Sequence, residues 1–71
     1  MLDAQAAQQA RTLHRTIARA AITEHQLWWH YYALGGDAGE VEMEAYLYQV
    51  LDLPRLQRSI LDHAAHELIT Y

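Results

Sequence analysis

Apolar residues recur at helical spacing along the whole chain. They are densest in Leu27-Trp28-Trp29-His30-Tyr31-Tyr32-Ala33-Leu34, which stops abruptly at Gly35-Gly36-Asp37. Upstream, Ala6, Ala10, Leu13, Ile17 and Ala20/Ala21 alternate steps of three and four, the spacing that lays one apolar stripe along a helix. Residues 3–22 contain no Gly or Pro and are rich in Ala, Gln and Arg, all good helix formers. Thr23-Glu24-His25-Gln26 matches a capping box, with Thr23 accepting from the Gln26 N–H and Gln26 reaching back. Threonine is tolerated inside helices, however, and nothing else obliges a break. The pattern therefore predicts one helix over about 3–33, with Thr23 as its candidate break.

Within the aromatic run, Leu27, Trp28, Tyr31 and Leu34 share a face, while Trp29 and Tyr32 widen it to a side that a small subunit covers poorly. Trp28, Tyr31 and Leu34 are expected in the core, and Trp29 and Tyr32 against a second chain. Gly35 suits the left-handed position that ends a helix, and Gly36 frees the turn. Asp37-Ala38-Gly39-Glu40 reads as a second capping box opening a helix over about 38–51. Its main apolar face is Met43, Leu47, Val50 and Leu51 with Tyr46 alongside, and Val41, Ala45 and Tyr48 form a second stripe. Asp52-Leu53-Pro54 closes that helix, and Pro54 suits the first position of the next. Over about 54–70, Leu56, Ile60, Ala64 and Leu68, flanked by Leu53, Leu61 and Ala65, form the expected core face. Arg58 and Asp62 are spaced to pair on the outside. The expectation is a single all-α domain, a small bundle of three helices over about 3–33, 38–51 and 54–70.

Composition makes that bundle thin. A chain of 71 residues is near the size where one core is marginal, and twelve of its apolar residues are alanine. With no cysteine, disulfides and thiolate zinc sites are excluded, which leaves self-association as the favoured support. A homo-oligomer, with a dimer favoured, is expected to use Leu13, Ile17, Trp29 and Tyr32, together with Arg11, Arg15 and Arg19. Charge is uneven: residues 1–22 carry Arg11, Arg15 and Arg19 against Asp3, while the remainder carries Arg55 and Arg58 against eight acids. The three N-terminal arginines recur every four residues as one stripe. It reads as a solvated face, as contact with the acidic part of this or a second subunit, or, less favourably, as a nucleic-acid or lipid contact. No apolar run reaches the roughly 20 residues of a membrane span, and Met1–Gln5 lacks signal-peptide character, so a cytoplasmic location is expected.

The chemistry-bearing residues are sparse. His63, His66 and Glu67 sit at spacings that can converge on one helix face as a metal or small-ligand site, but they lack the His-Glu-x-x-His order of metalloproteases. Ordinary i,i+4 contacts, Asp62 with His66 and His63 with Glu67, explain the same residues. Ser59 is the only serine and there is no Gly-rich phosphate loop, so neither catalysis nor a cofactor is expected.

The segment Leu27–Glu67, with Leu-Trp then Tyr-Tyr-Ala-Leu-Gly-Gly, Val41-Glu42, Glu44-Ala45-Tyr46-Leu47, Leu53-Pro54, Gln57-Arg58 and His63-Ala64, resembles a group of short, uncharacterised actinobacterial helical proteins. The resemblance carries no activity, ligand or catalytic residue to this chain. It implies that residues 23–70 are the unit proper and that the basic, Ala-rich residues 1–22 are a more variable extension. The leading functional expectation is a non-enzymatic interaction or regulatory module. The alternatives are a DNA-associated regulator using Arg11, Arg15 and Arg19, and a metal or ligand site at His63, His66 and Glu67.

Overall fold

The computed structural model describes residues 3–70, and they form four helices: α1 (Ala4–Arg19), α2 (Glu24–Ala33), α3 (Glu40–Leu47) and α4 (Arg55–Thr70). The expected three-helix bundle is thus corrected, because the single helix over 3–33 is two. The break has a defined geometry. Ala21 turns left-handed at φ 57°, the Ile22 N–H reaches the Ile17 carbonyl at 2.9 Å, and the Ala21 N–H reaches that of Ala18 at 3.2 Å. This is a Schellman ending, made here without glycine. Ile22 packs onto the core, as the residue after such a turn commonly does.

Thr23 then caps α2 with the reciprocal box: Gln26 N–H to Thr23 Oγ1 at 3.0 Å, and Thr23 N–H to Gln26 Oε1 at 2.8 Å. A left-handed alanine costs about 1–2 kcal/mol. Folding α2 back buries Leu27 and Tyr31 completely, worth about 1.5–3 kcal/mol for each large side chain, so the turn wins. Ala21→Gly should therefore raise stability by about 0.5–1 kcal/mol, the relief of strain less the added flexibility of the unfolded chain. The check is the urea midpoint, and a fall would show that the alanine methyl packs usefully.

The same ending recurs twice. Gly35, at φ 100°, closes α2 as expected, with Gly36 N–H on the Tyr31 carbonyl at 3.0 Å. Gln49, at φ 60°, closes α3 with Val50 N–H on the Ala45 carbonyl at 2.8 Å, so α3 stops at Leu47 rather than near Leu51. Its start is also later than expected. Gly39 is the N-cap, its N–H held by Glu42 Oε1 at 2.8 Å, whereas the Asp37 N–H is directed to Gln57.

One core joins all four helices: Ala10, Leu13 and Ile17 from α1, Leu27 and Tyr31 from α2, Met43, Tyr46 and Leu47 from α3, and Leu61, Ala64 and Ala65 from α4. α2 packs mainly on α4, and α1 mainly on α3. Four expected core positions lie outside it. The turn after α2 leaves Leu34 exposed, and the early end of α3 leaves Val50 and Leu51 exposed. α4 is rotated from its expected face: Gln57, Leu61, Ala64 and Ala65 are buried, Ile60 and Leu68 are partly buried, and Leu56 is 67% exposed. Among the described residues there is no strand, and no helix is long and apolar enough to cross a membrane.

Candidate functional site

α2 turns Leu27 and Tyr31 inward, which puts His25, Trp29 and Tyr32 on its outer side. Trp28 lies between, partly buried, with its indole N–H donating to the Ala38 carbonyl at 3.0 Å. Around it the rings organise one another. Tyr32 stacks on Trp28 at 5.3 Å, Trp29 meets Trp28 edge-on at 5.2 Å, and Trp29 stands at 87° to Tyr32. Such pairs add about 0.5–1.5 kcal/mol beyond area burial and hold rings in fixed poses. Even so, Trp29 is 53% and Tyr32 55% exposed. The result is an ordered aromatic face open to solvent. The helical period set both residues outside the subunit core, and both are exposed.

A second row supports this face at its edge. The Trp29 indole N–H donates to His25 Nε2 at 2.8 Å, and His25 Nδ1 lies 3.0 and 3.1 Å from the two carboxylate oxygens of Glu40. Glu40 opens α3, so this chain of bonds ties the outer side of α2 to the next helix.

Beneath the face, Tyr31 is the hub. Its hydroxyl donates to Gln57 Oε1 at 2.6 Å and accepts from the Ala38 N–H at 2.9 Å, while the Asp37 N–H donates to the same Gln57 oxygen at 3.1 Å. Burial pushes the Tyr31 hydroxyl pKa up, the Ala38 N–H pulls it down, and the Asp37 charge pushes it up further. Sequence reasoning missed Gln57. It shares a helical stripe with Leu61 and Ala64, but a polar residue on that stripe is not counted by an apolar pattern. Tyr46 differs from Tyr31: its hydroxyl is buried without a hydrogen-bond partner among the described residues. Burial first, and the negative charge of Asp62 second, push its pKa up to about 12.

The remaining sequence-predicted residues are scattered. Leu13 and Ile17 are buried in the chain's own core, so they present nothing to a second chain. Arg11, Arg15 and Arg19 are exposed and have no carboxylate partner among the described residues, and Arg11 donates to Gln8 Oε1 at 2.8 Å. With His14 and Ala18, Arg11 and Arg15 line a shallow depression of about 260 Å³. Arg58 does not pair with Asp62. It is held by Asp52 Oδ1 at 3.1 Å and Gln9 Oε1 at 3.1 Å, and Gln9 in turn donates to Asp62 at 2.6 Å.

His63, His66 and Glu67 do not converge. Glu67 sits between His30 at 2.6 Å and His63 at 3.0 Å. The hydrogen bond from His30, opposed by some burial and aided by His63, holds the Glu67 carboxyl below its usual range. His66 instead borders a groove of about 360 Å³ between α1 and α4, beside Asp62, Leu13 and Ile69. The groove's Thr16 hydroxyl is spent on the Thr12 carbonyl at 2.7 Å, and its Gln9 amide on Asp62 and Arg58. Among the described residues no three His, Asp or Glu side chains are placed to hold a metal ion. No family model, curated protein or solved structure matches the chain.

Proposed function

We propose that this chain is a non-enzymatic interaction or regulatory module that works as a homodimer, with the outer face of α2 as its interface. The observation that carries the reading is the exposure of Trp29 and Tyr32 within an ordered ring cluster. Amphipathic aromatics in fixed poses lose little entropy on contact and dominate binding energy where they occur at interfaces. A second copy is the favoured partner. A two-fold axis through the patch sets the same rings against each other, and the alanine-rich core gains support from the added burial.

Trp29→Ala is expected to weaken association at least tenfold by sedimentation equilibrium and to leave the melting of the isolated subunit nearly unchanged. Trp28→Ala should cost folding stability more than association, because it removes the bond to the Ala38 carbonyl and a ring packed against the core. A wild-type chain that stays a folded monomer through micromolar concentrations would sink the reading.

One observation favours a second reading, a DNA-associated regulator: Arg11, Arg15 and Arg19 are exposed without carboxylate partners among the described residues. The acidic remainder of the chain opposes it. Absence of duplex binding even at low salt, where the electrostatic contribution is greatest, would exclude it.

A further inference from the structure

Trp29, His25 and Glu40 are linked by hydrogen bonds whose directions are forced by their chemistry. An indole N–H only donates, so His25 Nε2, at 2.8 Å, is the bare acceptor nitrogen. The ring hydrogen then belongs to Nδ1, which donates to the Glu40 carboxylate at 3.0 Å. His25 is thereby held as the neutral Nδ1–H tautomer. A second proton can enter only at Nε2, where it takes the lone pair that holds Trp29 and sets two donors face to face.

We infer that His25 is a proton-operated latch on the aromatic face of α2. When neutral, it holds the Trp29 indole edge-on, at 6.0 Å and 89° to its own ring, and links it to α3 through Glu40. When protonated, it keeps Glu40 as a charge-assisted pair and releases Trp29. The effect on self-association rests on the dimer reading above: release of Trp29, and a new positive charge on each copy, both oppose it.

The surroundings single out this histidine. From α3, Glu40 faces it. On α2, Glu24 is engaged by His14 of α1 at 3.6 Å and by the Tyr48 hydroxyl at 3.2 Å. From α4, Glu67 is taken by His30 and His63. His14, His30 and His63 each meet a carboxylate, and no N–H or O–H donor faces any of them among the described residues. Protonation there adds an ion pair and breaks no hydrogen bond. Among the described residues, only at His25 does it do both. The side chain is 61% exposed, so protons reach it freely.

The test follows the two indole N–H resonances in nitrogen-15 labelled protein from about pH 8 to pH 5, where imidazoles change charge. Trp29→Phe identifies which resonance is which. The Trp29 signal should shift across this range while the Trp28 signal stays in place, and in His25→Gln neither should move. Sedimentation should show wild-type association weakening at least threefold at the acid end, with His25→Gln insensitive to pH. A Trp29 signal that stays in place down to pH 5, or one that still shifts in His25→Gln, overturns the latch. A shifting signal in a chain that is monomeric at both ends of the range supports the latch and overturns the dimer reading alone.

Discussion

Gly36→Ala is expected to lower folding stability by about 3 kcal/mol or more, enough to unfold a domain of this size under mild conditions. A methyl group there would stand 2.2 Å from Cε1 and Cζ of Tyr31 and 2.6 Å from Cδ1. The ring has nowhere to go. It is fully buried in the core, and its hydroxyl is tied to Gln57 on one side and Ala38 on the other. The second glycine of the pair is therefore required by close packing of backbone on ring, not by turn freedom, as its neighbour shows. Gly35→Ala meets nothing within 4 Å and suffers only its backbone angle of +100°, for about 1–2 kcal/mol. Urea unfolding of the two variants separates the effects. Equal losses would mean that the Tyr31 ring yields.

Gln57→Leu should cost about 2–4 kcal/mol although it makes α4 more apolar. One side-chain oxygen accepts both the Tyr31 hydroxyl at 2.6 Å and the Asp37 N–H at 3.1 Å. Leucine fills similar space and leaves both donors without an acceptor, at about 1–3 kcal/mol for each buried group. The neighbouring Leu56→Gln, at a position that is mostly solvent, is expected to stay within about 0.5 kcal/mol of wild type. Thermal or urea unfolding reads both, and a neutral Gln57→Leu would show that solvent reaches the network. Because Gln57 and Gly36 act through the same ring, the double variant should lose less than the sum of the single losses.

How much of this was legible along the chain depended on where the signal was stored. A candidate start of α2 was readable, since Thr23 and Gln26 carry a capping box in their own side chains, but the expected helix ran through it from 3 to 33 and the structure overturns that. The end of α2 was readable, because Gly35 is the residue best suited to a left-handed turn. The outward setting of Trp29 and Tyr32 followed from the helical period once Leu27 and Tyr31 faced inward. The ends of α1 and α3 carried no such mark. Ala21 and Gln49 adopt the left-handed conformation without the residue that advertises it, so the helices they terminate read as continuing. Leu56 and Gln57 mislead in the same way, since an apolar pattern counts the leucine and overlooks a glutamine drawn inward by two donors.

Helix formation, the apolar stripe of α1, the box at Thr23 and the outward setting of Trp29 and Tyr32 depend on contacts within a turn or two of chain, and those were present in the order of residues. The break at Ala21, the early stop at Gln49, the rotation of α4 onto Gln57 and the withdrawal of Leu13 and Ile17 into the core required the other helices to be in place. The reason is one of scale. A left-handed residue without glycine costs about 1–2 kcal/mol, while each large side chain that the turn carries into the core returns about 1.5–3 kcal/mol. The larger contribution belongs to contacts between distant parts of the chain, and it overrides a local preference that favours continuing the helix.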